Sequence, residues 1–381
     1  MKKRKYNKAY GVLMAGAFVL YIGLVTLLNI INKDQEFSEE ENRNLMTKPK
    51  FSIGSLLEGT YVNDYESYVS DQMVGRSFFV RVKSTIDTLA GKDEKQGVFI
   101  GKDNQLIQDF ERRSEEETQV KVQAINNFAE SLEGINTTFM LVPTATKVLE
   151  DKLPKDAPVD DEEEYIEDIR SGLSEKIKFV TPINELKKHK DQYLYYRTDH
   201  HWTTKAAYIA YLELCKALEL EPKGEEDFVV EQVTHEFYGS LSSKIGSRNM
   251  EADSIDIYFP KENPEVVVNY VSEQKKTTSL YDSSSLDKKD KYEVFTAGNH
   301  PHINIKTLGD TSKKLLVIKD SYANSMLPFL TSHYGEIDVI DLRYYVDDVR
   351  ELIESKGITD VLFLYNVNTF NEDDSILNLE M

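Results

Sequence analysis

Residues 313–325, KKLLVIKDSYANS, join an apolar run to a polar turn and decide the fold class. The four apolar residues at 315–318 form a run typical of a strand that is buried on both faces. Asp320 and Ser321 follow at once, and both residue types commonly begin helices. A buried strand that leads directly into a helix is the repeating unit of α/β proteins with a parallel sheet.

The alternation of strand and helix continues along the chain. Apolar strands are predicted at 137–143, 177–182, 192–197, 313–320, 336–343 and 358–366, and helices at 114–133, 159–173, 203–220, 321–334 and 346–356. Strands separated by helices predict a parallel sheet with helices on both faces, a three-layer α/β sandwich. Residues 222–310 break the pattern, and we expect them to form an insertion of β-hairpins and loops near the mouth of a site.

The N-terminus combines a basic segment with an uncharged one. Residues 1–10 contain five Lys or Arg and no acid, and residues 11–31 contain no charge. These 21 residues, at about 1.5 Å each, match a bilayer core of roughly 30 Å. Because positive charge is retained on the cytoplasmic side, we expect a transmembrane signal anchor with the rest of the chain outside. A cleaved signal peptide is the alternative, but Leu27, Leu28, Ile30 and Ile31 occupy the place of its small residues.

These patterns predict four segments. They are a basic cytoplasmic segment at 1–10, the anchor at 11–31, a stalk with a helical and hairpin part at 32–110, and an α/β domain at 111–381 with an insertion at about 222–310. The hairpin is predicted at 97–107, where two short strands flank the turn GKDN.

The charge and the single cysteine exclude several classes of protein. The chain carries −20, of which the first ten residues contribute +5, so residues 32–381 carry −25. Such a domain repels nucleic acid and suits a neutral substrate better than a polyanion. With Cys215 alone no intramolecular disulfide can form, and we expect this thiol to be buried in a helix. The sequence contains no CxxC, HExxH, P-loop or GxGxxG pattern, so no cofactor or metal is predicted.

Residues 197–203, RTDHHWT, contain the groups best suited to acid–base chemistry. Asp199 and His201 are two residues apart, a spacing at which both side chains point the same way on extended backbone. The carboxylate could then hold one imidazole nitrogen and leave the other for Ser321. A serine at a strand-to-helix turn presents its hydroxyl outwards, and it needs such a base to act as a nucleophile.

Other interpretations of these motifs stay open. Asp199, His200 and His201 could ligate a metal ion, although metal-dependent phosphoesterases need further acidic strand ends that are not evident here. The triplet could also be purely structural. Asp320 and Ser321 could simply cap a helix.

Taken together, RTDHHWTTKAAYIAY (197–211), LLVIKDSYANSMLPFL (315–330) and IDLRYY (340–345) resemble the DHHW family. The segments at 37–51 and 68–81 also resemble it, so the similarity spans most of residues 37–370. This family is related to the SGNH-like proteins that O-acetylate alginate and other exported polysaccharides. The resemblance implies an SGNH-like, flavodoxin-like fold, with Ser321 as nucleophile, His201 as base and Asp199 as the residue that orients the base.

The resemblance also implies a function outside the cytoplasm. The expected protein is a membrane-anchored serine O-acetyltransferase that modifies a cell-surface or exported polysaccharide. A multispanning membrane O-acyltransferase would supply the acetyl group, because acetyl-CoA is not available outside the membrane. A carbohydrate O-acetylesterase with the same triad, or a non-catalytic glycan-binding assembly component, are the alternatives.

Five further residues are candidates for binding substrate or the oxyanion. They are His200, Trp202, Tyr322, Arg343 and Asn366. Trp202 could stack on a sugar or anchor the core, Arg343 could form a structural ion pair, and Asn366 could be a turn residue. Lys147 and the loop 239–249 could line a sugar groove.

Overall fold

The computed structural model describes residues 2–38, 43–57, 59–89, 94–246 and 250–380. The chain divides into two compact units, Met1–Lys92 and Asp93–Met381. The second unit thus includes residues 94–110, which the sequence analysis grouped with the stalk. The hairpin at 98–108 belongs to this unit because it bonds to the α/β domain: Leu106 N–H donates to Arg197 O at 2.9 Å.

The first unit is built on one long apolar helix. The elements of this unit are α1 Lys2–Ile31, β1 Phe37–Ser38, β2 Arg43–Asn44, α2 Ile53–Leu57, α3 Thr60–Asp71 and α4 Arg76–Leu89. Within α1, residues Ala9–Ile31 are long and apolar enough to cross a membrane, a property shared by transmembrane helices and signal sequences. The Asn29 side chain accepts a hydrogen bond from Val74 N–H at 2.7 Å, so the last turn of α1 is tied to the turn between α3 and α4.

The second unit contains an eight-stranded mixed sheet with helices on both faces. The strands of the second unit, eight of which form this sheet, are β3 Val98–Ile100, β4 Leu106–Gln108, β5 Asn136–Val142, β6 Ile177–Val180, β7 Phe228–Phe237, β8 Asp253–Pro260, β9 Val267–Tyr270, β10 Lys275–Thr277, β11 His302–Lys306, β12 Lys314–Lys319, β13 Glu336–Ile340 and β14 Asp360–Asn366. Its helices are α5 Glu115–Ser131, α6 Ala145–Val148, α7 Glu162–Gly172, α8 Ile183–Lys188, α9 Thr204–Leu218, α10 Ser240–Ile245, α11 Leu327–Leu330, α12 Val349–Lys356 and α13 Val367–Glu372.

The sheet order is β10-β9-β11-β13-β12-β14-β5-β6, and the five strands from β13 to β6 are parallel. Strand β12 shows why the core has two halves. Leu315 and Val317 pack on one face of the sheet, and Leu316 and Ile318 pack on the other. Successive side chains of a strand point to opposite faces, so one apolar run stabilises both helical layers. The predicted three-layer α/β sandwich is confirmed.

The insertion extends the sheet beyond what the sequence indicated. Strands β9, β10 and β11 pair antiparallel at one edge, so the sheet is mixed and not wholly parallel. β7 and β8 form a separate antiparallel pair.

Two predicted elements differ in the structure. Residues 192–197 form no sheet strand, and Tyr195 makes only an isolated bridge with Trp202. This segment is a loop, and its apolar pattern arises because the rings of Tyr195 and Tyr196 are buried in the core. The predicted helix at 321–334 is a 3₁₀ turn, Ser321–Ser325, followed by the short α11. Pro328 lies in the first turn of α11, and its missing N–H prevents one continuous helix across both segments.

Candidate active site

The turn that follows β12 places Ser321 at the carboxyl edge of the sheet. Asp320 caps the turn, since its carboxylate accepts from Tyr322 N–H at 2.9 Å. The other carboxylate oxygen accepts from the backbone N–H and the side-chain amide of Asn366, at 2.7 and 2.6 Å. Asp320 therefore ties the turn after β12 to the end of the neighbouring strand β14. Ser321 is held between two central strands, at the edge where open α/β sheets place their binding and active sites.

The loop that carries Asp199 is fixed by a buried carboxylate. Asp253, at the start of β8, accepts from the N–H groups of Arg197 and Thr198, both at 2.8 Å, and from the Thr198 hydroxyl at 2.5 Å. At the other end of the loop, Thr203 N–H donates to Leu194 O at 2.8 Å. These bonds close residues 194–203 into a tight loop whose tip is Asp199, His200 and His201.

His201 bridges Asp199 and Ser321. Its Nδ1 lies 2.5 Å from Asp199 Oδ1, and its Nε2 lies 2.7 Å from Ser321 Oγ. Both distances are those of hydrogen bonds. The arrangement allows Nε2 to take the serine proton while the carboxylate fixes the tautomer and orientation of the ring.

The charge on Asp199 suits this geometry. Burial alone would raise its pKa, but the neighbouring His201 and His200 rings and the hydrogen bonds from His201 and from Ser240 N–H hold the pKa well below its usual range. The Ser240 N–H donates to Asp199 Oδ2 at 2.7 Å. Asp199 is therefore a carboxylate at neutral pH, able to stabilise an imidazolium.

Two residues of the 239–249 loop, Gly239 and Ser240, support Asp199 and its neighbour His200. A Cβ on Gly239 would lie 2.2 Å from the Asp199 Cβ, so only glycine fits there. Ser240 Oγ lies 2.6 Å from His200 Nδ1. Residues 247–249 of this loop lie outside the described residues.

His200 lies beside His201, and its Nδ1 bonds Ser240 Oγ, whereas the bond to Ser321 is made by His201. Its ring centroid is 3.9 Å from that of His201. Burial and the neighbouring His201 lower the pKa of His200 to about 4, so its imidazole is neutral at physiological pH.

Tyr292 is a site residue that the sequence analysis missed. Its ring stacks on the His201 imidazole with centroids 3.7 Å apart and planes inclined by 10°. Its hydroxyl donates to the Ser321 backbone carbonyl at 3.2 Å. Tyr292 thus contacts both the base and the nucleophile. It lies in the polar insertion, where no local pattern distinguishes it from the other tyrosines.

Trp202 and Tyr322 are buried under the triad. Trp202 is fully buried and its indole N–H donates to Tyr322 O at 3.0 Å, so its faces are not available to a sugar in this conformation. The Tyr322 hydroxyl donates to His200 O at 2.6 Å. These two aromatic residues connect the loop of Asp199 to the turn of Ser321.

Arg343 and Asn366 are engaged in structural contacts. Arg343 donates twice to Asp341, at 2.8 and 2.5 Å, and Lys319 Nζ lies 3.7 Å from the same carboxylate. The Asn366 amide donates to Asp320 Oδ2 and to Thr369 Oγ1 at 2.7 Å, so both of its hydrogens are used. The Lys147 ammonium is likewise engaged, 2.9 Å from Asp161.

The triplet could also offer ligands to a metal ion. One ligand atom from each of Asp199, His200 and His201 lies within 4.8 Å of the others. However, both nitrogens of His201 are already bonded, to Asp199 and to Ser321. A cation would have to displace one of these hydrogen bonds, so the geometry favours the serine interpretation over the metal one.

Comparisons with known proteins agree with this architecture. The family model described as DHHW protein matches residues 94–340, about two thirds of the chain. No curated protein matches the chain in sequence. Among solved structures, a DHHW family protein from Eubacterium siraeum superposes with a TM-score of 0.65 at 23% identity, covering 75% of this chain and 96% of that one.

PatB1 of Bacillus cereus, solved with a sulfonyl adduct, superposes with a TM-score of 0.62 at 20% identity, covering 74% of this chain and 97% of that one. At these identities the superpositions establish a shared fold. The family model covers well over half of the chain, including the loop of His201 and the turn of Ser321. The chain therefore belongs to the DHHW family.

Proposed function

We propose that this protein is a serine-dependent O-acetyltransferase that modifies a polysaccharide outside the cytoplasm. One observation carries the proposal: His201 lies within hydrogen-bond distance of both Asp199 and Ser321. A metal-independent nucleophile needs this combination of hydroxyl, base and orienting carboxylate. The relation of the DHHW family to polysaccharide O-acetylating proteins supports the choice of substrate.

The first half-reaction forms an acyl-enzyme. His201 Nε2 removes the Ser321 hydroxyl proton as Oγ attacks the acetyl carbonyl. The imidazolium, stabilised by the Asp199 carboxylate, then protonates the leaving group as its bond to the acetyl carbon breaks. The Ser321 N–H is the first of the 3₁₀ turn, where a backbone donor has no partner within the helix. We assign it as one donor to the oxyanion, since the Tyr322 N–H is already used by Asp320.

The second half-reaction transfers the acetyl group. A sugar hydroxyl gives its proton to His201 Nε2 and attacks the acetyl carbon, and Ser321 Oγ leaves with that proton. Water in place of the sugar would give the esterase reaction. The acetyl donor proposed for the cell is a multispanning membrane O-acyltransferase, and Ala9–Ile31 is proposed to anchor the protein beside it.

Purified full-length protein tests the proposal. It is incubated with an activated acetyl ester, with and without a neutral oligosaccharide, and acetylated sugar is measured by mass spectrometry. We expect acetylated sugar, inactivation by a sulfonyl fluoride and no loss of activity with EDTA. Ester hydrolysis without any transfer would favour the esterase, and loss of activity with EDTA that a divalent ion restores would overturn the serine mechanism.

A further inference from the structure

A polar cleft lies beside Asp199 of the triad. It has a volume of about 240 Å³, and its walls include Asp199, His200, Thr144, Asn366 and Glu372. Thr144 follows β5 and Asn366 ends β14, so the cleft opens at the carboxyl edge of two adjacent parallel strands. Its volume is a little below the roughly 300–1,000 Å³ of sites for drug-sized molecules, which suits one sugar unit.

Several polar groups of this cleft have no partner among the described residues. The Gln108 side-chain amide, the Glu372 carboxylate and His200 Nε2 make no hydrogen bond there. Asn368 also lines the cleft, but its side-chain amide donates to Asp109 O at 3.1 Å and its Oδ1 is buried away from the cleft surface. The unpaired groups of Gln108, Glu372 and His200 are therefore the ones that remain able to hydrogen-bond a polar ligand in the cleft.

We propose that this cleft binds a neutral sugar unit of the acceptor glycan, next to the hydroxyl that receives the acetyl group. The inference rests on the proposed function and adds its acceptor subsite. Each sugar hydroxyl both donates and accepts, which matches the mixture of amide, carboxylate and imidazole groups. Ala145 and Leu241 give the cleft an apolar part for the C–H face of a sugar ring.

Charge limits the acceptor to an uncharged sugar. Glu372 forms no ion pair among the described residues, so its carboxylate stays available to repel an anion in the cleft. Arg113 interacts electrostatically with Glu372 but forms its ion pair with Asp374 at 2.9 Å, so it does not neutralise Glu372. Residues 32–381 carry a net charge of −25, which adds to the repulsion. A hexuronate unit should therefore be a poor acceptor compared with a neutral hexose or N-acetylhexosamine.

Gln108→Ala tests binding in the cleft. Full-length protein is given an activated acetyl ester, and two rates are measured: ester hydrolysis without acceptor, and transfer to a neutral oligosaccharide. We expect the ratio of transfer to hydrolysis to fall about tenfold, the effect of one or two lost hydrogen bonds. The matched control is Glu354→Gln, an exposed position on α12 outside the cleft, which should leave the ratio unchanged.

Glu372→Gln tests the charge argument. Transfer to a hexuronate oligosaccharide and to a neutral one of equal length are compared, and the preference for the neutral acceptor should fall about tenfold, because a like charge is removed. If both variants keep the wild-type ratio and preference within about twofold, or if hydrolysis and transfer fall in parallel, the cleft is not the acceptor site. If the proposed function itself were wrong, the wild-type protein would transfer no acetyl group to either sugar. This result differs from the one that rejects only the cleft as acceptor site.

Discussion

At the scale of single residues, the site depends on how the His201 imidazole is held. Asp199 bonds its Nδ1, Ser321 bonds its Nε2, and Tyr292 covers one ring face at 3.7 Å. Each contact restricts rotation or tilting of the imidazole ring. In the proposed mechanism, the ring is thus preorganised to transfer a proton between the serine and the leaving or attacking group.

Asp199→Asn tests the orienting role. The amide can still reach His201, but it favours the wrong tautomer and provides no charge to stabilise an imidazolium. We expect the fold to persist and the kcat for an activated acetyl ester to fall roughly a thousandfold or more. Thermal unfolding monitors the fold in parallel. A properly folded variant with nearly wild-type kcat would refute the role of Asp199.

The two adjacent histidines should differ sharply on substitution. His201→Ala removes the base, so ester turnover should fall at least roughly a thousandfold, and adding Ser321→Ala should cost little more because these residues act as a unit. His200→Ala should cost about tenfold or less, since it removes the contacts with Ser240 and the His201 ring but no bond to Ser321. The exposed His235→Ala serves as the control. Equal losses at His200 and His201 would contradict the assignment.

At the scale of elements, two pieces far apart in sequence meet at the carboxyl edge of the sheet. The loop 194–203 and the turn 320–325 are joined by Trp202, whose indole N–H bonds Tyr322 O. The strands at 137–142, 314–319 and 360–366 were predictable because their apolar runs are buried on both faces. The adjacency of Asp199, His201 and Ser321 was also suggested by spacing and family resemblance.

Other parts of the site could not be predicted from local pattern. Tyr292, Ser240 and Asp253 all come from the polar insertion, and each acts through a contact with a residue 29 or more positions away in the chain, such as the bond between Ser240 N–H and Asp199. The apolar run at 192–197 resembles a strand because it contains buried tyrosines, yet these tyrosines pack from a loop. Side-chain burial and strand pairing are separate properties, and the hydrophobic pattern reports only the first.

Gly239→Ala tests how the insertion supports the triad. The added Cβ would collide with the Asp199 side chain at 2.2–2.3 Å, so Asp199 must shift. We expect kcat for ester hydrolysis to fall by up to roughly a hundredfold, the effect of a misplacement of about 1 Å. Gly54→Ala is the matched control, because its Cβ meets no atom closer than 4.0 Å. Wild-type activity of Gly239→Ala would show that the contact does not position Asp199.

At the scale of the whole molecule, the proposed function requires the second unit to meet an exported polymer. The basic residues before an apolar helix favour a topology with the N-terminus inside and the rest outside. The absence of disulfides follows from a single, buried cysteine, Cys215, so stability depends on the two-sided core of the sheet.

The topology has a direct test. Protease added to intact cells stripped of their wall should digest residues beyond the helix Ala9–Ile31 and leave the protein's N-terminal segment protected. Detergent-lysed cells provide the control for complete digestion, and a cytoplasmic marker protein should stay intact. Full protection of the second unit in unlysed cells would contradict the proposed location.

The central claim is that Ser321 carries the acetyl group, and one measurement tests it most directly. Full-length protein is mixed with an activated acetyl ester, quenched in acid, digested and analysed by mass spectrometry. We expect a single acetyl group on the serine of the peptide that contains residues 320–325, absent in Ser321→Ala and lost when a neutral oligosaccharide is added before quenching. An acetyl group on another residue, or turnover by Ser321→Ala at the wild-type rate, would contradict the account.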